Sequence, residues 1–113
     1  MTDRLNSHIL VQALIRKTQS EGGFATVLRS GDRISGAILV QTVERGQEPR
    51  VYERISDFSG GYALMPIATQ YSGDPEGLAQ YIERRCKSDP DLWLVELDVA
   101  NAERLAAALL TEG

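Results

Sequence analysis

Four strand-like segments follow one another between Phe24 and Ile67, joined by connections too short to hold a helix. Phe24–Arg29 (FATVLR) alternates Phe24, Thr26 and Leu28 against Ala25, Val27 and Arg29. Ala37–Val43 (AILVQTV) sets Ile38, Val40 and Thr42 against Leu39, Gln41 and Val43. Arg50–Ile55 and Tyr62–Ile67 supply the third and fourth strands. Parallel neighbours require a crossover of about a dozen residues, so this block predicts consecutive antiparallel strands, with helices entering from the chain ends. Pro66 has no N–H to donate, which places the fourth strand at a sheet edge or breaks it there.

The flanks read as helices. Leu5, Ile9, Ala13 and the Leu10, Leu14 pair recur at helical spacing, predicting a helix over residues 5–19 that Gly22-Gly23 stops. After SGDP at residues 72–75, Asp74 can cap a second helix with Pro75 in its first position, and Leu78, Ile82 and Cys86 form its apolar stripe. Pro90 ends that pattern, and Leu92–Leu97 is a strongly apolar fifth strand. Asn101 can cap a short helix, Ala102–Leu110, with Leu105, Ala108 and Leu109 as its packing face. The expected fold is α+β, a mostly antiparallel five-stranded sheet with helices mainly on one face, in the order α-β-β-β-β-α-β-α. Residues 1–113 read as a single domain, without linker, repeat or low-complexity tract.

A chain of 113 residues buries about 65% of its extended surface, enough for one core without staples. Cys86 is the only cysteine, so no intrachain disulfide or paired-thiol zinc site can form, and a reducing compartment is expected. Gln12, Arg16 and Lys17 interrupt any secretory core, and no apolar run approaches the roughly 20 residues that span a bilayer. The expected location is the cytoplasm. Twelve basic against 16 acidic residues give a net charge of −4, which opposes general attraction to phosphate backbones or anionic lipid. Two basic groups, Arg16-Lys17 and Arg84-Arg85 with Lys87, fall at predicted helix C-termini, where the helix dipole favours them. No cofactor is implied.

Candidates for chemistry are few. Cys86 shares a stripe with Leu78 and Ile82 and reads as a buried small hydrophobe rather than a nucleophile. His8 is the only histidine, which excludes a two-histidine metal or acid/base site within one chain. Glu96 and Asp98 share a strand face with side-chain origins about 7 Å apart, a spacing open to acid/base or divalent-metal chemistry and equally to a solvated strand end. Asp89 and Asp91 bracket Pro90 as turn formers. Trp93 has the parity of Val95 and Leu97 and belongs with the core. The segment SGDRISG, residues 30–36, is longer than a hairpin turn requires. It lacks the lysine and spacing of a phosphate-binding loop. Arg29, Asp32 and Arg33 around it are nonetheless candidates for contact with a small anion, a polar peptide or a protein partner.

The early helix ending in Arg16-Lys17, the segment GGFATVLRSGDRISGAILV and the later DPDLWLVEL together resemble a small alphaproteobacterial family of uncharacterised domains, over about Leu5 to Leu97. The resemblance implies a compact bacterial protein and carries no activity, cofactor or catalytic residue with it. The Ala-rich ending NAERLAAALL departs from that family's more polar one. No nucleophile, base and orienting group can be assembled, so the expected function is a noncatalytic accessory or protein-interaction domain. Its partner would be another protein or a second copy, and Leu92–Leu97 and the Pro66 strand are candidate sheet edges for self-association. The alternative is a small-molecule or anion-binding protein, or an enzyme, using the Arg29, Asp32 and Arg33 loop. Negative charge and 6% aromatic residues weigh against nucleic acid.

Overall fold

A computed structural model describes residues 6–111 and contains α1 (Ser7–Ser20), β1 (Phe24–Arg29), β2 (Ile38–Glu44), β3 (Gln47–Ser56), β4 (Tyr62–Ile67), α2 (Pro75–Ser88), β5 (Trp93–Asp98) and α3 (Ala102–Leu110). A single 3-10 turn, Thr69–Tyr71, precedes α2. The fold is the expected α+β arrangement in the expected order. The predicted start of the first helix, at Leu5, lies outside the described residues.

The strands form one sheet in the order β1-β5-β2-β3-β4. β2, β3 and β4 make an antiparallel meander, and β1 is antiparallel to β5. β5 and β2 are parallel, with Val40 opposite Val95. The expected run of four consecutive antiparallel strands is therefore corrected: β5 lies between β1 and β2. Its apolar residues explain why. Leu92, Val95 and Leu97 are fully buried, a requirement met in the middle of a sheet covered on both faces and not at its rim. The expectation that Leu92–Leu97 offers a free edge is corrected for the same reason. Pro66 fares as predicted, because β4 is an edge strand.

Alternation along the strands feeds two cores. Ile38, Val40, Trp93, Val95 and Leu97 face α1 and α3, meeting Leu10, Val11 and Leu14 from one helix and Ala102, Ala106 and Leu110 from the other. Leu39, Val51, Leu92 and Leu94 face the opposite way and meet Leu78 and Cys86 of α2. Two helices thus share one face and the third crosses the other on its way from β4 to β5. The stripe of α2 and the burial of Cys86 match the sequence reading. The packing face of α3 matches in part: Leu105 and Leu109 are half-buried against the core, but the fully buried residues are Ala102, Ala106 and Leu110, and Ala108 is exposed.

Polar clamps fix both layers. The Arg85 guanidinium donates to both oxygens of Glu53 at 3.1 Å, tying α2 to β3, and this pairing raises the already high pKa of the guanidinium. Tyr52 Oη donates to Glu103 at 3.0 Å, tying β3 to α3; burial, then this carboxylate, raises the phenol pKa. Arg54 Nε donates to the Leu110 carbonyl at 2.8 Å, and its guanidinium lies 3.5 Å over the Tyr62 ring.

Candidate functional site

The loop carrying Asp32 and Arg33 is long because it must step across β5. From the end of β1 the chain passes over the start of β5 and enters β2 on the far side. Asp32 N–H donates to the Asp91 carbonyl at 2.9 Å, and Trp93 Nε1–H donates to the Asp32 carbonyl at 2.7 Å. Gly31 and Gly36 make the crossing possible, since a Cβ at either would collide with the Asp91 carbonyl. The N-terminus of α1 closes over the same loop: Ser7 and His8 N–H donate to the Ile34 and Arg33 carbonyls at 3.2 and 2.9 Å, and Ser7 Oγ donates to the Gly36 carbonyl at 2.6 Å.

Arg29, Asp32 and Arg33 take different directions. The Asp32 carboxylate folds back on its own loop, where Oδ2 accepts from Ile34 N–H at 3.1 Å, Ser35 N–H at 2.8 Å and Ser35 Oγ at 3.1 Å. The backbone donors of Ser35 and Ile34, with the Ser35 hydroxyl, hold its pKa below the usual aspartate value. Arg29 is redirected by a bulge. Val27 pairs with Val95 but Arg29 pairs with Leu94, so β1 carries one extra residue at Leu28. Strict alternation would put Arg29 on the α1 face; the bulge turns it toward α2, where Nη2 donates to the Cys86 carbonyl at 3.5 Å near that helix's C-terminus. Arg33 is exposed and its guanidinium has no partner among the described residues.

The other candidates are held by structural partners. Glu96 Oε2 accepts from Gln41 Nε2 at 2.7 Å. Asp98 accepts from the backbone N–H groups of Arg45 and Gly46 at 2.9 and 3.0 Å, bracing the β2–β3 turn, so the two carboxylates serve different neighbours. Trp93 is buried as its parity predicts, and the His8 ring lies 6.4 Å from it, centroid to centroid. Among the described residues no three His, Cys, Asp or Glu side chains gather as a metal site.

Four exposed apolar side chains lie at the end of the sheet that this loop occupies. They are Leu28 at the end of β1, Ile34 in the crossing loop, Ile9 on the first turns of α1, and Phe58 at the tip between β3 and β4. Phe58 is fully exposed and Ile34 is 69% exposed. Each is held out by a carboxylate-centred turn. Asp57 Oδ1 accepts from Ser59 N–H, Ser59 Oγ and Gly61 N–H at 2.9, 2.7 and 2.9 Å, as Asp32 does around Ile34. Elsewhere two concavities open, one of about 600 Å³ where β3 and β4 meet the start of α2, and one of about 350 Å³ between α1 and α3. Neither is lined by Arg29, Asp32 or Arg33.

Over residues 5–107 the sequence matches the family described as "Protein of unknown function (DUF1491)". The chain belongs to this family. A crystal structure of a DUF1491 protein from Caulobacter crescentus CB15 is similar at 34% identity, covering 96% of this chain and 100% of that one, with a TM-score of 0.81. An NMR structure of a DUF1491 protein from the same organism aligns at 33% identity over 96% and 97% of the two chains, with a TM-score of 0.75. A solution structure of a protein from A. tumefaciens aligns at 27% identity over 97% and 98%, with a TM-score of 0.73. These organisms are alphaproteobacteria, as the sequence resemblance implies. No curated protein matches the chain. The DUF1491 match runs past Leu97 to include most of α3, so the Ala-rich ending lies largely within the family's span.

Sequence reasoning missed the exposed apolar end of this DUF1491 protein. A signal was present: Asp-Phe-Ser-Gly-Gly at 57–61 and Asp-Arg-Ile-Ser-Gly at 32–36 both set a large apolar residue among turn formers, where no core position is available.

Proposed function

We propose that this DUF1491 protein is a noncatalytic protein-interaction domain of the cytoplasm that engages its partner through the end of the sheet bearing Ile9, Leu28, Ile34 and Phe58. The observation that carries the reading is the outward display of Phe58 and Ile34 on the hydrogen-bonded Asp57 and Asp32 turns. A turn whose backbone is already fixed by hydrogen bonds loses little further freedom on contact, so more of the burial of its exposed side chain appears as affinity. Arg33 stands next to Ile34 with its charge unclaimed among the described residues, and can select an acidic group on the partner. The internal engagement of Asp32 and Arg29 supports contact rather than chemistry as the role of this loop.

The test pairs native capture and accurate complex mass with the variant Ile34→Ser/Phe58→Ser. Retained fold, together with loss of a defined partner or of a self-associated mass, supports the reading. A concentration-independent monomer that captures nothing sinks it, and a complex indifferent to the two substitutions removes this surface from it.

A further inference from the structure

The concavity at the start of α2 lies at the opposite end of β3 from Phe58 and is built differently. Its floor is apolar: Val51 of β3, Ile67 of β4, Leu78 of α2 and the Tyr71 ring. At about 600 Å³ it falls in the range that holds small organic ligands. The opening arises from the backbone. Between the pairs Glu44–Gln47 and Thr42–Arg50, β2 advances two residues and β3 three, so β3 bulges at Glu48 and Pro49. Glu48 takes a φ of 55° there, and Ala68, on the opposite wall, a φ of 57°, both in the left-handed region. The wall from Ala68 to Asp74 is a chain of tight turns, with Tyr71, Ser72 and Asp74 N–H groups donating to the Ala68, Thr69 and Tyr71 carbonyls at 3.1, 3.1 and 2.8 Å. Gly77 packs so closely beneath Asp74 and Tyr71 that a Cβ there would collide with both side chains.

Three charged residues border the space, Glu48, Arg50 and Asp74. Glu48 has no ion pair or hydrogen bond to its carboxylate among the described residues. Asp74 spends Oδ1 on the α2 cap, accepting from Gly77 N–H at 3.0 Å, and leaves Oδ2 without a donor among them. Arg50 also borders the space, but strand alternation puts its side chain on the α3 face, where it interacts with the Tyr52 hydroxyl. Two unpaired carboxylates over an apolar floor suit a ligand with an apolar body and a cationic head. We propose that this concavity binds a small organic cation, an amine or amidine carried on an aromatic or branched aliphatic body. The body occupies the Val51, Ile67, Leu78 and Tyr71 floor while the head lies between Glu48 and Asp74.

Three probes of nearly equal shape test this on the 15N-labelled full chain: phenethylamine, phenethyl alcohol and phenylacetate. Phenethylamine is expected to shift the amides of Val51, Ile67, Ala68 and Leu78 saturably. The alcohol should bind there about two- to fivefold more weakly for each carboxylate whose attraction it forgoes, and the anion more weakly still. In the variant Glu48→Gln/Asp74→Asn the amine should fall to the affinity of the alcohol. Asparagine caps a helix about as well as aspartate, so the amide spectrum away from the site should persist. Equal binding of amine and alcohol, shifts centred elsewhere, absence of binding, or an amine preference that survives the double substitution would each overturn the assignment. Ile34 and Phe58 play no part in this test, so its outcome is separate from that of the interaction surface.

Discussion

Two glycines of the crossing loop are fixed by what lies beneath them. Gly31→Ala or Gly36→Ala would push a methyl group into the Asp91 carbonyl, and because the obstacle is backbone it cannot swing aside. Each substitution is expected to cost about 1–3 kcal/mol in denaturant unfolding, the usual scale of overpacking, while alanine at Gly60, where nothing crowds a Cβ, should cost only the strain of its positive φ. Asp32 and Asp57 each accept donors from their own turns and titrate below the ordinary value of 3.8. A carboxylate whose folded pKa is depressed contributes its stabilisation in full above the unfolded value and loses it as pH falls through the folded one. Carboxyl carbon NMR should therefore find both midpoints below 3.8, and Ser59→Ala, which removes the strongest of the bonds to Asp57, should move that midpoint upward. At this scale the sequence was informative about type and less so about direction. Cys86 and Trp93 sit inside as their spacing and parity require. The facing of Arg29 could not be read, because one extra residue at Leu28 inverts the alternation and no local pattern announces it.

Elements with strong end signals were legible. The start of α2 is the clearest: Asp74 accepts from Gly77 N–H and Pro75 occupies the first turn. Asp74→Ala should lower stability by about 0.5–2 kcal/mol, whereas Asp74→Asn should be nearly neutral, a contrast that thermal or urea unfolding can read. Asn101 shows the limit of the same reasoning. It stands at the start of α3 with a φ of 58° and makes no capping bond with its side chain, so residue type alone did not determine the role. In β5 the continuous apolar run was visible, and its meaning follows once two helical layers are known to cover both faces of the sheet. Local alternation states what each strand buries, but the choice of neighbour is made by contacts far apart in sequence. That is why β2–β3–β4 could be read as a meander and the insertion of β5 could not. The unusual length of residues 30–36 registered the insertion as an anomaly without explaining it.

On the scale of the whole molecule, the proposed interaction surface and the buried core are spatially separate. Leu14 is fully buried among α1, α3 and the sheet, and Leu14→Ala should cost about 2–5 kcal/mol. Ile34→Ser/Phe58→Ser removes only exposed groups and should stay within about 0.5 kcal/mol of the parent at each site, so loss of partner binding in that variant can be assigned to the surface itself. The candidate site was only partly legible for a related reason. Arg29, Asp32 and Arg33 lie at the end of the sheet where the proposed surface is placed, yet the exposed apolar side chains at that end come from four different segments, which only the topology brings to one end. The central position of β5 also orders events during synthesis. As the chain emerges from the ribosome, β1 has no strand beside it until residues 93–98 are available, so the sheet closes only once β5 has emerged, and a nascent chain stalled before Trp93 should be open to protease at Phe24–Arg29.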